Sequence, residues 1–182
     1  TPPGPVAQPW LDGSMTIGAA AGWFGLWRAE ADLARAHCPC APDDAPGFED
    51  WVAGNDAPTE GWADGVAALA LALPLATLTY ASPQTLGNDG LLVLESVALT
   101  GLLTHSAKIL VSRPYPYMFE ADSDPARDGD SINYASMWSG HTAVPMAAAV
   151  TFAYVVSQHR PKWTWWAWTV GPALALTAGT LQ

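Results

Sequence analysis

Residues 139–150 read Ser-Gly-His-Thr-Ala-Val-Pro-Met-Ala-Ala-Ala-Val, and they mark the point where a polar segment gives way to an apolar one. This change predicts a helix whose N-cap is Ser139 or Gly140. Its backbone N–H groups and the positive end of its dipole would face a bound anion. Gly140 permits close approach, Ser139 offers a hydroxyl donor, and His141 can supply a proton. The stretch suits phosphate binding and leaving-group protonation; the plain alternative is a capped helix with a surface histidine.

Two cations lie upstream of this stretch. Lys108 falls near the end of an otherwise apolar run, and Arg113 follows where Pro114 must end the helix. A lysine in apolar surroundings is costly unless its ammonium reaches water or meets an anion. We therefore expect Lys108, Arg113 and the helix start at 139–141 to form a cationic cradle for a phosphate. Taken singly, each is an ordinary cation at a membrane border.

The rest of the chain alternates between apolar runs and short polar connections. Five apolar runs can be distinguished, at residues 14–36, 63–82, 89–111, 140–158 and 163–181. Each is close to the roughly 20 residues that span a bilayer. The first carries charges in its second half, including Glu30, so it is predicted to be partly interfacial or to pack against protein. Five runs in series favour an all-α transmembrane bundle over buried helices of a soluble protein.

These residues and their order resemble the type 2 phosphatidic acid phosphatase (PAP2) superfamily, which also includes the vanadium haloperoxidases. Its three motifs are a lysine followed after six residues by Arg-Pro; Pro-Ser-Gly-His; and Ser-Arg, five residues, His, three residues and Asp. The second motif matches residues 139–142, with Trp138 where proline is usual. The resemblance covers residues 60–182 and, more weakly, the first apolar run.

The first motif of the family matches in part. Lys108 and Pro116 occupy their expected positions, but Tyr115 stands where the motif has arginine. Arg113 lies two residues earlier, where many bacterial members carry an additional arginine, and is expected to supply the missing charge. Tyr115 can donate a hydrogen bond but carries no positive charge.

The resemblance implies a metal-independent, two-step phosphatase that needs no cofactor. A histidine of the third motif would attack phosphorus, His141 would protonate the leaving oxygen, and water would then hydrolyse the phosphohistidine. The remaining site residues would bind the phosphoryl oxygens. They are Lys108, Arg113, Tyr115, Ser139 and Gly140.

The third motif has no counterpart in residues 1–182. We therefore expect these residues to form a single, C-terminally incomplete domain, with a sixth helix and the nucleophilic histidine following. His159 lies roughly 27 Å from His141 along one helix, too far to share a phosphate with it. His105 is better placed but is predicted to be a hydrogen-bonded packing residue.

Charge distribution predicts the orientation of the bundle. The basic turn at residues 159–162 belongs in the cytoplasm by the positive-inside rule. The phosphate site and the loops at residues 38–62 and 113–139 then face the extracytoplasmic side, in the arrangement usual for the family. The predicted location is a bacterial inner membrane.

The expected substrate is a lipid-linked phosphate or pyrophosphate, with membrane lipids as surroundings. A catalytically inactive membrane protein that keeps a phosphate-binding cavity for lipid recognition or assembly is the alternative, because Tyr115 replaces arginine and the third motif is missing. A vanadium haloperoxidase is a weaker third reading. The net charge of −10 argues against nucleic acid as a partner.

Other potentially reactive residues are interpreted as structural. Cys38 and Cys40 lie in a predicted outer loop where a disulfide is plausible, although one intervening residue makes the ring strained. The acidic stretch at residues 120–130 lacks the spacing of a calcium-binding loop and is predicted to be a solvated lid. No metal site is predicted. The tryptophans at residues 163–168 are expected to form an interfacial belt.

Overall fold

The computed structural model describes residues 7–35, 60–81, 85–119, 130–136 and 139–180. These residues form five α-helices, and no strand occurs within those ranges. The helices are α1 (Pro9–Leu33), α2 (Glu60–Ala81), α3 (Leu86–Val111), α4 (Gly140–His159) and α5 (Thr164–Thr180). Short 3-10 helices occupy Pro116–Phe119, Ser131–Tyr134 and Pro161–Trp163. The predicted all-α class is confirmed, and each helix lies within a few residues of its predicted run.

Contacts at the helix ends establish the direction of each helix. The Arg35 amide, just after α1, donates to Ser112 Oγ, just after α3, at 3.0 Å, so these two helices end together. His141 and Asp64 are hydrogen-bonded near the starts of α4 and α2. We call the end of the bundle at which α1 and α3 end and α2 and α4 begin the Lys108 end. The α5 helix runs antiparallel to α4, because Gly179 lies against Thr142.

The apolar core is centred on α4. Its members are Leu78 of α2, Val93 of α3, Ala148, Phe152, Ala153, Val155 and Val156 of α4, and Ala167 of α5. The α4 helix packs against α2, α3 and α5, whereas α1 packs mainly on α3. Because α1 stands apart from this core, it leaves space between itself and α2.

Outward-facing surfaces of the helices are also apolar. Leu103 and Leu110 of α3 are 65% and 84% exposed, and Trp165 of α5 is 71% exposed. Helices that are apolar on all sides are typical of a lipid environment. Three segments are long and apolar enough to cross a membrane: Trp62–Thr79, Leu86–Phe119 and Gly140–His159. These findings are consistent with an integral membrane protein.

The opposite end of the bundle, which we call the Asp89 end, is closed by a buried carboxylate. Asp89 is 1% exposed. Its Oδ2 accepts a hydrogen bond from Thr85 Oγ1 at 2.6 Å and lies 3.2 Å from His159 Nε2. Its Oδ1 accepts from the Asn88 amide at 3.2 Å. This cluster joins the start of α3 to the end of α4.

The chain after α3 folds back over the Lys108 end. Ser112 caps α3 in a left-handed conformation, with φ of 46°, and is buried. Beyond it, the Tyr115 amide donates to the Asn133 carbonyl at 2.9 Å, and the Ser136 amide donates to the Arg113 carbonyl at 3.2 Å. We call the paired segments 113–119 and 130–136 the strap. Part of the predicted loop at 113–139 is therefore an ordered layer.

Some sequence predictions fall outside the described residues. Cys38, Cys40, Trp138 and the acidic residues 120–129 belong to this group, as does most of the predicted loop at 38–62. The last three residues of that loop are part of α2, which begins at Glu60. Among the belt tryptophans, Trp163, Trp165 and Trp168 are exposed, whereas Trp166 packs against the core.

Candidate phosphate site

A cavity of about 560 Å³ lies at the Lys108 end, bounded by α1, α2, α3 and α4. Its polar lining includes Glu30, Asp64, His105, Lys108 and His141. Its apolar lining consists of Ala20, Trp23, Phe24, Trp27, Ala67, Ala68, Leu71, Val144 and Pro145. Gly140 completes the wall. Charged groups therefore meet one apolar cavity from four helices.

Lys108 is held at the cavity wall by an acid. Its Nζ lies 3.6 Å from Glu30 Oε1, and the two side chains are only 14% and 8% exposed. A buried ammonium needs a counter-charge because desolvation of an isolated ion costs several kcal/mol. The sequence leaves two possibilities for Lys108, an ammonium that reaches water or one that meets an anion; the structure pairs it with the carboxylate of Glu30.

His105 contacts the second oxygen of the same carboxylate. Its Nε2 lies 3.4 Å from Glu30 Oε2. Its Nδ1–H donates to the Gly101 carbonyl at 3.2 Å, one turn earlier on α3, because a carbonyl can only accept. The expectation of a hydrogen-bonded packing histidine is confirmed, although His105 also lines the cavity.

The contact between α1 and α3 brings Glu30 to this position. A Cβ added to Gly101 would overlap the indole of Trp23, so the two helices approach closely here. Trp23 and Glu30 are two turns apart on α1, as Gly101 and Lys108 are on α3. The close approach at the first pair therefore sets the register of the second.

The start of α4 forms another wall of the site. Ser139 is the N-cap, as predicted, and its carbonyl accepts from the Ala143 amide at 3.0 Å. Its side chain makes no capping bond to the helix. A Cβ added to Gly140 would meet nothing within 4 Å. The N-terminal amides of α4 are thus approachable from the cavity, and this geometry favours anions.

His141 is oriented by a carboxylate from α2. Its ring Nε2–H donates to Asp64 Oδ1 at 2.6 Å, a short and charge-assisted geometry. The His141 side chain is 34% exposed and that of Asp64 is 72% exposed. Asp64 therefore fixes the orientation of the His141 ring beside the cavity.

The predicted site residues fall into two groups. Lys108, Gly140 and His141 line one cavity although two helices carry them. Ser139 adjoins it as the N-cap of α4. Arg113 and Tyr115 lie in the strap and are not among the cavity-lining residues.

The strap fixes the Tyr115 ring beside another tyrosine. Tyr115 stacks on Tyr117 at a centroid distance of 5.5 Å and an interplanar angle of 11°. Tyr117 in turn donates its hydroxyl hydrogen to Asn133 Oδ1 at 2.6 Å. The strap therefore holds the arginine position of the first motif in a defined place over the Lys108 end.

Two cavity acids were not recognised as site residues from the sequence. Glu30 was read only as one of several charges in the first run, and Asp64 was not singled out. Each pairs with a side chain more than seventy residues away in the sequence, Glu30 with Lys108 and Asp64 with His141. A local pattern carries no signal of such a contact; the available hint was that an acid inside an apolar run needs a partner.

Metal binding is not indicated in the part of the chain that the structure describes. Within those ranges, no group of three or more His, Cys, Asp or Glu side chains is arranged to hold a metal ion. The arrangement instead combines an ammonium, imidazoles and helix N-terminal amides around an apolar cavity. Such a site can bind a phosphate and donate a proton to it.

The family model of the PAP2 superfamily matches residues 89–181, just over half of the chain. The chain belongs to the PAP2 superfamily. Membership supports a phosphatase-type function in general. The matched residues run from α3 to α5 and include Lys108 and His141, whereas Glu30 and Asp64 precede them. No curated protein and no solved structure shows significant similarity to the chain.

Proposed function

We propose that this PAP2 protein is a membrane phosphatase that hydrolyses a lipid-linked phosphate or pyrophosphate through a phosphohistidine intermediate. One observation carries the proposal: Lys108 and His141, from separate motifs on α3 and α4, line the same cavity beside the N-terminus of α4. An ammonium and helix amides stabilise phosphoryl oxygens, and a histidine can protonate the oxygen that leaves.

The reaction divides into two displacements. In the first, a histidine nitrogen attacks phosphorus while the bond to the leaving oxygen breaks and His141 gives that oxygen a proton. In the second, water attacks the phosphohistidine, His141 takes up a proton, and inorganic phosphate leaves. Lys108, Gly140 and Ser139 bind phosphoryl oxygens. The family pattern assigns the same role to Arg113 and Tyr115, which lie in the strap outside the cavity lining. No bound metal or cofactor takes part in the proposed steps.

The proposal assigns the nucleophile to the family's third motif, which residues 1–182 do not contain. The end of α5 lies at the Lys108 end, because Gly179 adjoins Thr142. Chain that follows α5 would start beside the site, where the nucleophile is required. His159 does not serve this role in the proposal, since it contacts Asp89 at the opposite end.

The character of the cavity supports a lipid substrate. Aromatic and aliphatic side chains of α1 and α2 line it, and its charged groups lie together at the Lys108 end. A molecule with an apolar tail and a phosphate head matches both regions. Phe24 and Trp27 are 60% and 55% exposed and line the cavity as well, so its apolar part continues to the outer surface.

An inactive phosphate-binding membrane protein is the second candidate. It is favoured by Tyr115, which provides no positive charge at the arginine position, and by the pairing of Lys108 with Glu30. Both features lower the positive charge offered to a phosphate. The retained Gly140 and His141 are the argument against this candidate, because a binding cavity needs no proton donor.

The test is phosphate release by the full gene product in detergent, with phosphatidic acid, phosphatidylglycerol phosphate and undecaprenyl pyrophosphate as substrates. We expect His141→Ala to lose at least roughly a hundredfold in kcat, since general acid catalysis contributes about 10²–10⁴. Tyr154→Phe, which removes a hydroxyl from an exposed side chain of the same helix outside the cavity lining, is the control and should keep kcat within a few-fold. Full activity in His141→Ala would refute the assigned role. Phosphate binding without turnover in the wild type would favour the inactive candidate.

A further inference from the structure

Glu30 presents an electrostatic problem for a phosphate site. It is an acid, it lines the cavity, and it is 6% exposed. Its Oε1 lies 3.6 Å from Lys108 Nζ and so takes up one of the directions from which an anion can contact the ammonium. A phosphate and this carboxylate cannot both pair fully with Lys108, because two anions that share one cation repel each other.

The second oxygen of Glu30 has a separate partner. His105 Nε2 lies 3.4 Å from Oε2, and the ring is tethered through Nδ1 to the Gly101 carbonyl. When the His105 ring is protonated, its Nε2–H donates to Oε2, and Glu30 can then lose Lys108 without becoming an unpaired buried acid. This difference matters because removal of one member of a simple buried ion pair is strongly unfavourable.

We propose that Glu30 is a resident counter-anion of the phosphate site and a positioning residue for Lys108. Before substrate binds, its carboxylate neutralises Lys108 and holds the ammonium at the cavity wall. When substrate enters, the phosphate pairs with Lys108, and Glu30 stays paired with the protonated ring of His105. The inference rests on the proposed function, and it lies outside the matched family residues because α1 precedes them.

This arrangement has opposite effects on binding and on turnover. As a competitor for Lys108, Glu30 weakens anion binding to the site. As an anchor, it keeps Lys108 pre-oriented, and correct placement of charge supports turnover. A residue that merely stabilised the fold would, when replaced, weaken both properties together.

The experiment compares Glu30→Gln with Asp32→Asn in the full gene product. Both substitutions remove one negative charge from α1, but Asp32 is exposed and does not line the cavity. Inorganic phosphate is the probe, with its Kd measured by calorimetry and its Ki by competition against substrate. We expect Glu30→Gln to bind phosphate about tenfold more tightly, because the competing charge is gone. Its kcat should fall severalfold, and Asp32→Asn should match the wild type in both.

Weaker or unchanged phosphate binding in Glu30→Gln would overturn the inference. If that variant does not fold, Glu30→Asp provides the measurement, since its shorter side chain retreats from both partners; it should bind phosphate about threefold more tightly. If the wild type turns over substrate and the Kd for phosphate is the same in all variants, this inference is refuted and the proposed function stands. Tighter phosphate binding in Glu30→Gln without turnover in any protein would support the inference and refute the phosphatase.

Discussion

At the scale of single residues, the space in front of Gly140 is open. A methyl group there would meet no described atom within 4 Å outside its own helix. Under the proposed function, it would project where a phosphate approaches the amides of α4. The absence of a side chain at this position therefore has no packing explanation within the described residues. It does have an explanation in ligand access, since only glycine lets an anion reach the backbone so closely.

Replacement of Gly140 by alanine separates ligand access from folding. We expect Gly140→Ala to keep or slightly raise stability, by up to about 1 kcal/mol, because alanine is the better helix former. Its KM and its Kd for phosphate should rise about tenfold, since a methyl group obstructs the amides. Thermal unfolding and phosphate titration of the full gene product are the measurements.

The control for that substitution is Gly90→Ala, at the Asp89 end. A Cβ at Gly90 also meets nothing within 4 Å, so its effect on helix propensity is comparable. It should change neither KM nor Kd. Equal phosphate affinity in Gly140→Ala and the wild type would show that the anion does not approach this backbone.

The sequence predicts those candidate site residues whose type and order suit phosphate chemistry. Lys108, Gly140 and His141 are predicted together, and the structure places all three around one cavity. Glu30 and Asp64 are not predicted, because their partners come from other helices. The pairing of a charge depends on which helix faces are in contact, and that information is absent from any local pattern.

At the scale of helices, the contact between α1 and α3 depends on a glycine. Gly101 is buried, and the Trp23 indole occupies the place of its missing side chain. At the adjacent position of each helix, Gly22 lies against Leu102, and a Cβ on Gly22 would come within 3.0 Å of Leu102 Cδ1. Two glycines on facing helices thus allow the close packing that places Glu30 beside Lys108.

A methyl group added at Gly101 should therefore disturb packing along the whole interface between α1 and α3. We expect Gly101→Ala to destabilise the protein by about 1–3 kcal/mol, because the indole of Trp23 has to move. Thermal unfolding in detergent measures this change. Gly87→Ala, on the same helix with nothing within 4 Å, is the control and should be neutral or stabilising. Equal melting temperatures for both variants would contradict the packing described for Trp23.

Helix boundaries were predictable from the sequence, whereas helix faces were not. The change at residue 139 and the prolines near helix ends located α4 and α3 within a few residues. All five helices are apolar on most sides, so no stripe of side chains indicates which face is inward. The separation of α1 from α2, which creates the cavity, could not be deduced for this reason.

At the scale of the whole molecule, charge differs between the two ends. The turn after α4 carries Arg160 and Lys162, whereas the Lys108 end adjoins acidic connecting segments. The positive-inside rule assigns the basic turn to the cytoplasm. We propose accordingly that the phosphate site opens on the extracytoplasmic face.

Cysteine labelling tests this orientation. In a variant with Cys38 and Cys40 replaced by serine, single cysteines are introduced by Asp130→Cys in the strap and Lys162→Cys in the basic turn, both at exposed positions. In spheroplasts, a membrane-impermeant maleimide should label the first at once and the second only after permeabilisation. The reverse pattern would invert the topology. Labelling of both without permeabilisation would contradict a bundle that spans the membrane.

The Asp89 cluster holds α3 and α4 together far from the site that these two helices form. It ties α3 to α4 at the end opposite Lys108 and His141, and roughly 28 Å of helix lies between the tie and the site. Over that length, a rotation of about 2° moves a side chain by about 1 Å, a displacement that can cost a catalytic site about a hundredfold in rate. Under the proposed function, catalytic alignment would therefore be sensitive to small angular changes at a contact far from the site.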